Sequence, residues 1–256
     1  MGLKVPSPFT GEGLPLWESI MQLLSEFAAK KFNIQLTDAH LSAFKVYARE
    51  LADWNERMNL TAITSPDAVQ IRHFLDSLSI TQAVPMTDTL RLVDVGTGAG
   101  FPGLPLAIVY PNIKVTLLEA TGKKVNFLDH ICDMLDLSNV TTLRARAEEA
   151  GHDNLHRAQY DLAVARSVAR LPALLEYLLP LVKTGGHAIA MKGSTAQEEA
   201  DDCKHALKIL GGKLDRIDTI QLPAMDYPHH LVVVEKVHRT PKTYPRNPGT
   251  PTREPL

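Results

Sequence analysis

The sequence has only two cysteines in 256 residues, Cys132 and Cys203. They lie far apart, with no CxxC motif and no His–Cys ligand spacing, which excludes the usual structural zinc motifs and favours a reducing compartment. No run of about 18 apolar residues appears, so no membrane span is expected. The opening segment MGLKVPSPFTGEG lacks a charged stretch followed by an apolar one, so we expect no secretory signal and a cytoplasmic location.

The sequence also lacks a strong charge of one sign, since 27 Lys and Arg against 29 Asp and Glu give a net charge of −2. Its charge is unevenly distributed: five Lys and Arg stand between Lys236 and the C-terminus, against the single acid Glu254. A basic end of this kind can contact phosphates, or it can be a solvated, proline-rich tail. Both interpretations stay open at this point.

Helical patterns occupy the first 85 residues. Thr37 is placed to cap a helix that runs to about Met58, because apolar residues recur at spacings of three and four along it. Ser65-Pro66 predicts the start of a second helix that runs to about Ala83. The segment NLTAI (59–63) between them is expected to be an extended connector.

After Pro85 strand-like runs alternate with helix-like segments, a pattern typical of βαβ units and a mainly parallel sheet. The predicted helices cover 103–110, 122–136, 146–157, 169–182 and 196–210. The predicted strands are 90–95, 115–119, 140–143, 161–165, 187–192, 214–222 and 230–237. No helix separates the last two strands, so they should pair as an antiparallel hairpin at one edge.

The predicted fold is therefore α/β, a mixed seven-stranded sheet that ends in an antiparallel hairpin. That ending is typical of class I S-adenosylmethionine (SAM) methyltransferases and unlike a dinucleotide-binding domain built from two mononucleotide halves. We expect three parts: a small helical extension over 1–85, a Rossmann-like SAM-binding domain over 86–240, and a basic, proline-rich tail over 241–256.

The stretch LVDVGTGAGFPG (92–103) is a strand followed by a glycine-rich turn, and two ligand motifs fit it. Gly98, Gly100 and Gly103 satisfy the dinucleotide fingerprint G-x-G-x-x-G. Gly96, Gly98 and Gly100, preceded by Asp94, satisfy the first SAM-binding motif, D-x-G-x-G-x-G. Both motifs need glycine because a Cβ would block a ligand that lies against the backbone.

Pro102 favours SAM over a dinucleotide. It falls at the expected start of the next helix, where it removes an N–H that a pyrophosphate would use and that SAM does not need. Glu119 does not discriminate, because a carboxylate at the end of the second strand can accept the ribose hydroxyls of either cofactor.

Several motifs together resemble the bacterial RsmG/GidB family. They are NLTAI (59–63), RHFLDSLSI (72–80), LVDVGTGAGFPGLPLAI (92–108), LLEATGKKVNFL (117–128), RARAEE (144–149), AVARSVA (163–169), MKG (191–193) and YPRNPGTPTREPL (244–256). The family methylates N7 of a guanine in 16S ribosomal RNA with SAM, and the resemblance extends from about Trp54 to the C-terminus.

The resemblance implies which residues bind SAM. Gly96 and Phe101 would contact it in and just after the glycine loop, with Gly98 and Gly100 in the same motif, and Glu119 would bind the ribose. Ala147 and Glu148 would lie beside the adenine and Arg166 at the end of the fourth strand. The implied partner is 16S rRNA or the small ribosomal subunit; we expect no membrane and no metal, and a monomer.

The sequence shows no Ser-His-Asp order, no HExxH and no paired catalytic carboxylates, and no catalytic residue is assigned. Guanine N7 carries no proton, so its methylation needs no general base. His73 and Asp76 share a helix face and are interpreted as polar structural contacts between the N-terminal helices and the sheet. The rival interpretations are a SAM methyltransferase acting on a small molecule or protein, an NAD(P)-dependent oxidoreductase, and a non-catalytic RNA-binding factor.

Overall fold

The structure is a computed structural model that describes residues 14–256, with side chains from Met21 onward. The opening segment MGLKVPSPFTGEG, in which no secretory signal is expected, lies outside the described residues. Within the described part, the helical segments are α1 Leu14–Phe32, α2 Asp38–Met58, α3 Pro66–Val69, a π-helical turn Gln70–Leu75, α4 Asp76–Leu78, a 3₁₀ turn Ser79–Gln82, α5 Gly103–Val109, α6 Gly122–Met134, α7 Ala147–Ala150, α8 Leu171–Leu178, α9 Ala196–Asp202, α10 Lys204–Leu210 and α11 Thr250–Arg253. None of these helices is long and apolar enough to cross a membrane.

The strands of the described residues form one seven-stranded sheet in the order β3-β2-β1-β4-β5-β7-β6. They are β1 Arg91–Val95, β2 Lys114–Glu119, β3 Val140–Arg144, β4 Tyr160–Arg166, β5 Val182–Lys192, β6 Gly212–Ile220 and β7 His229–Lys236. The first five are parallel, while β7 runs antiparallel to both β5 and β6. The predicted α/β fold with a hairpin ending is confirmed.

The apolar core lies in two layers, one on each face of this sheet. Along β1, Leu92 faces the layer formed with the N-terminal helices, α5 and α6, and its neighbour Val93 faces the layer formed with α8, α9 and α10. Alternate strand residues point to opposite faces, so a strand covered on both sides reads as a nearly continuous apolar run. This burial is why LRLVDV was recognisable as a strand.

The N-terminal helices pack against α5 and α6, on one face of the sheet. The predicted cap of α2 is confirmed: the Thr37 hydroxyl accepts the His40 N–H, and the Thr37 N–H donates to the His40 ring. Tyr47 of α2 is buried, donates to the Ala99 carbonyl at 2.5 Å and stacks on Phe101 at 5.2 Å between ring centroids. The first helices therefore touch the glycine loop directly.

The second predicted helix of this region is confirmed in its start, with Ser65 as cap and Pro66 at the first position. It is not uniform, because a π-helical turn occupies Gln70–Leu75 before the α-helix resumes at Asp76. Such turns often mark functional positions in helices. This one carries Arg72 and His73, which line a cavity of about 700 Å³.

The prediction of a helix over 146–157 is wrong beyond Ala150, where α7 ends. The chain then turns repeatedly, with the Asp153 carboxylate accepting the Leu155 N–H and Ala158 in the left-handed region at φ 53°. The guanidinium of Arg157 donates to the carbonyls of Tyr244 at 2.8 Å and Thr240 at 2.9 Å. Contacts with the distant C-terminal segment, residues 237–256 after β7, thus replace the expected helical turns.

The C-terminal segment packs along the domain between α7 and α8. Arg246 donates to both carboxylate oxygens of Glu176, which is fully buried in α8, at 3.0 Å from Nε and 2.7 Å from Nη2. The Gly249 N–H donates to the Glu148 carboxylate at 2.9 Å. Lys236 is buried as well. Two of the five basic residues at this end, Lys236 and Arg246, are therefore engaged within the protein.

We predict that Arg246→Ala destabilises the protein by about 3 kcal/mol, because it leaves the buried Glu176 carboxylate without a charged partner and with only the backbone N–H of residue 246 as a donor. Urea unfolding followed by circular dichroism measures this loss. Arg239→Ala is the matched control: Arg239 is exposed in the same segment, and its removal should cost less than about 0.5 kcal/mol. Equal losses for the two variants would show that the Arg246–Glu176 pair does not hold the segment in place.

Candidate ligand-binding cleft

The glycine loop connects the end of β1 to α5 and needs glycine at specific positions. Gly96 and Gly100 adopt left-handed backbone angles, with φ of 66° and 98°. A Cβ on Gly96 would lie 2.7 Å from a methyl of Val168, and one on Gly100 would lie 2.6 Å from the Tyr47 hydroxyl. Any larger residue would therefore be strained and crowded at both positions.

Asp94, at the end of β1, holds the two ends of this loop together. One oxygen of its buried carboxylate accepts the Thr97 hydroxyl at 2.5 Å and the Gly103 N–H at 2.8 Å. Burial raises the pKa of Asp94 to about 6. Because Pro102 has no N–H and the Gly103 N–H is already bound, the start of α5 has few donors left for a phosphate. This geometry supports the sequence argument against a dinucleotide.

Glu119 lies at the end of β2, where its buried carboxylate accepts the Gly98 N–H at 3.1 Å and the Thr121 N–H at 2.8 Å. A carboxylate can accept about four hydrogen bonds. These two backbone contacts fix its orientation and leave capacity for two further donors, such as the two hydroxyls of a ribose.

Two cavities share Gly96 as a wall residue, at the end of the sheet where the parallel strands finish. The smaller, of about 250 Å³, is lined by Glu119, Ala147 and Glu148 among others. The larger, of about 700 Å³, is lined by residues that include Gly98, Phe101 and Arg166. All but one of the sequence-predicted site residues thus line one of these two cavities. The exception is Gly100, which packs against Tyr47 and Leu104 instead.

The smaller cavity has walls that the sequence did not indicate. Gly249 and Thr252 reach it from the C-terminal segment, and Tyr177 reaches it from α8. The Tyr177 hydroxyl lies 2.9 Å from the Thr252 hydroxyl, which fixes the two walls to each other. The motif PGTP (248–251) marked this segment as part of a resemblance, but no local pattern indicated that it returns to the cleft.

Arg166, at the end of β4, is hydrogen-bonded to the N-terminal helices. Its Nη1 donates to the Asp76 carboxylate at 3.0 Å and to the Arg72 carbonyl at 2.6 Å, and its guanidinium lies 5.2 Å from the centre of the Phe101 ring. The other Asp76 oxygen lies 2.7 Å from Nδ1 of His229, the first residue of β7. Asp76 therefore joins a helix to two strands, which confirms its interpretation as a structural contact.

His73 lies in the same group of side chains and is stacked on Phe101 at 4.2 Å. Burial, and then the positive charge of Arg166, lower the pKa of His73 to about 3. The ring is therefore neutral at pH 7, with Nδ1 placed 3.0 Å from Arg166 Nη2 to accept a hydrogen bond and Nε2 2.9 Å from the Thr61 hydroxyl. The neutral His73 ring therefore contacts Thr61 of the segment 59–63, Phe101 and Arg166.

We predict that His73 makes the protein less stable as pH falls below about 6.5, because the unfolded chain takes up a proton that the folded chain excludes until about pH 3. A single such group contributes up to about 1.4 kcal/mol per pH unit. Unfolding free energies measured in urea between about pH 4 and 6 should depend less steeply on pH in His73→Gln. His205→Gln, at an exposed position of α10, is the control; a slope that is the same in the His73 variant and the wild type would contradict the assignment.

The sequence of this chain is similar to a known protein family. The family model for rRNA small subunit methyltransferase G, GidB, matches residues 40–226. The ribosomal RNA small subunit methyltransferase G of Alkaliphilus metalliredigens is 43% identical, over 92% of this chain and 98% of the relative. That of Acetivibrio thermocellus is 46% identical, over 93% of this chain and 97% of the relative.

Among solved structures, a SAM-dependent methyltransferase from Aquifex aeolicus aligns with a TM-score of 0.53 and 18% identity, over 70% of this chain and 97% of its own. The [4+2]-cyclase SpnF aligns with a TM-score of 0.50 and 14% identity, over 64% of this chain and 80% of its own. At such identities the likeness shows the fold alone. The family model and the relatives show more than the fold, and together they establish that this chain belongs to the rRNA small subunit methyltransferase G (GidB) family.

Proposed function

We propose that this protein transfers the methyl group of SAM to N7 of a guanine in the 16S rRNA of the small ribosomal subunit. The observation that carries the proposal is that two cavities of different character share Gly96 as a wall. The smaller one has a carboxylate with free capacity for a ribose, and the larger one is open and bordered by the basic side chains of Arg72 and Lys124. Small ribosomal subunits are found in the cytoplasm, and we propose that the protein acts there, as a monomer.

The residues of the cleft fit SAM. Gly96 and Gly98 present bare backbone, and Gly100 permits the turn that brings Phe101 to the cavity wall. Glu119 would accept the ribose hydroxyls, and Ala147 and Glu148 would lie beside the adenine. When bound, SAM supplies a methyl carbon that is already activated by a sulfonium, so the acceptor needs only to be brought into line with it.

Arg166 is proposed to bind the carboxylate of the methionine part of SAM. A guanidinium has five N–H donors, and contacts with Asp76, the Arg72 carbonyl and His73 use three of them. The remaining two are available in a side chain that lines the larger cavity. Its fixed partners hold the group in place, which reduces the entropy lost when a ligand binds.

Several ionisable side chains of the larger cavity already have a charged partner. Asp76 bonds to Arg166 and His229, and Lys192 pairs with Glu199 at 2.8 Å. Because guanine N7 carries no proton, a general base is not required, and holding N7 in line with the methyl carbon can supply on the order of 7–11 kcal/mol at best. N7 lies on the major-groove edge, which is inaccessible in A-form RNA, so the target guanine must be unpaired or unstacked.

We predict that Glu119→Gln weakens SAM binding about 10- to 100-fold, since it removes a charge-assisted hydrogen bond to the ribose and turns one acceptor into a donor. Isothermal titration calorimetry gives the dissociation constant directly. Glu198→Gln removes an exposed carboxylate from α9 and should leave SAM affinity unchanged. A change of less than threefold in the Glu119 variant would show that this carboxylate does not bind the ribose.

The substrate is tested by incubating the purified protein with methyl-labelled SAM and small ribosomal subunits from cells that lack the modification. We expect label on N7 of one guanine in 16S rRNA, identified by nuclease digestion and mass spectrometry. Label confined to a protein or to added small molecules, despite measurable SAM binding, would refute the rRNA proposal and favour a SAM methyltransferase with another class of substrate.

A further inference from the structure

The loop of residues 221–228, which joins β6 to β7, holds an exposed aromatic side chain on an anchored backbone. Tyr227 is 73% exposed, whereas Leu222 of the same loop is 2% exposed and Met225 packs against the core. The Gln221 amide donates to the Leu222 carbonyl at 3.3 Å and to the Met225 carbonyl at 3.1 Å. The loop is therefore braced from within, while the tyrosine ring faces solvent.

This loop lies at the same end of the sheet as the cleft, where the parallel strands finish. β7 begins at His229, two residues after Tyr227, and His229 both lines the larger cavity and bonds to Asp76. Its neighbour His230 pairs with Lys192, the last residue of β5, where the parallel part of the sheet ends. Tyr227 is therefore two residues away from a wall of the larger cavity, the open one through which an rRNA base would reach SAM.

The charge around Tyr227 favours the face of a base over a phosphate. Asp226, directly before it, is also exposed, and its carboxylate repels a phosphate backbone. A tyrosine ring offers a flat face on which any nucleobase can stack. The target guanine must leave its stack to present N7, and its departure exposes a face of each flanking base.

We propose that Tyr227 is the stacking platform for an unpaired base next to the target guanine. The inference rests on the proposed rRNA substrate and adds a specific contact with it. Stacking on Tyr227 replaces part of the stacking lost when the guanine enters the cavity, and it places the neighbouring nucleotide at a fixed distance from the glycine loop.

The test compares Tyr227→Ala, Tyr227→Phe and wild type in methyl transfer to unmodified small ribosomal subunits. Loss of base–aromatic stacking should raise KM for the subunit about 5- to 100-fold in Tyr227→Ala. Tyr227→Phe, which retains the ring, should stay within about threefold of wild type. SAM affinity should not change, and the salt dependence of subunit binding should keep its slope because no phosphate contact is lost.

Leu155→Ala is the matched control. Leu155 is 75% exposed in the loop that leads into the N-terminal end of β4, whereas the cleft lies at the C-terminal end of that strand. Its removal should have no effect on KM. Because Tyr227 is exposed as well, its variants should fold normally, and their melting temperatures check this.

The proposal is overturned by an unchanged KM in Tyr227→Ala, by an equal loss in Tyr227→Phe, or by a reduced salt slope in the alanine variant. A photoreactive benzoylphenylalanine in place of Tyr227 gives a direct readout in the bound subunit. Crosslinks to an RNA base support stacking, and crosslinks to a ribosomal protein refute it. Wild-type enzyme that labels no RNA would instead refute the proposed function, which keeps the two failures distinct.

Discussion

The cleft depends on the buried ion pair between Asp76 and Arg166. Asp76 is 1% exposed and comes from the N-terminal helices, while Arg166 ends a central strand of the sheet. A buried charge that loses its partner costs several kcal/mol, so these helices cannot move away from the sheet without a large penalty. His229 shares the same carboxylate. One side chain thus fixes three elements around the larger cavity, and the shape of that cavity follows from it.

A column of stacked rings provides the second connection between the N-terminal helices and the sheet. Phe101, just after the glycine loop, is stacked with both Tyr47 of α2 and His73 of the π-helical turn, and the Arg166 guanidinium lies 5.2 Å from its ring centre. Aromatic and cation–π contacts of this kind restrict orientation as well as supplying buried area. The glycine loop is therefore supported by side chains from helices that precede the sheet in the chain, and the N-terminal helices help to build the site.

Much of this arrangement was predictable, and the rest has an identifiable physical reason. Strand burial on both faces leaves apolar runs in the sequence, so the strand positions and the final hairpin were recognisable. The glycine loop and Glu119 follow from the position of strand ends in an open α/β sheet. The turn after Ala150 and the path of the C-terminal segment depend instead on single long-range contacts, from Arg157 to the Tyr244 carbonyl and from Arg246 to Glu176. Such contacts leave no periodic signal in the sequence.

The same distinction applies to the charges. The sequence reveals the partner of neither Arg166 nor Arg246, because nothing local to either residue indicates it. In the structure both are paired with buried carboxylates, but they differ in position: Arg166 lines the larger cavity with two donors left over, whereas Arg246 holds the C-terminal segment against α8. Since Gly249 and Thr252 of that segment wall the smaller cavity, Arg246 acts on the cleft through the backbone it anchors. A basic residue near the C-terminus thus helps to position one wall of the smaller cavity.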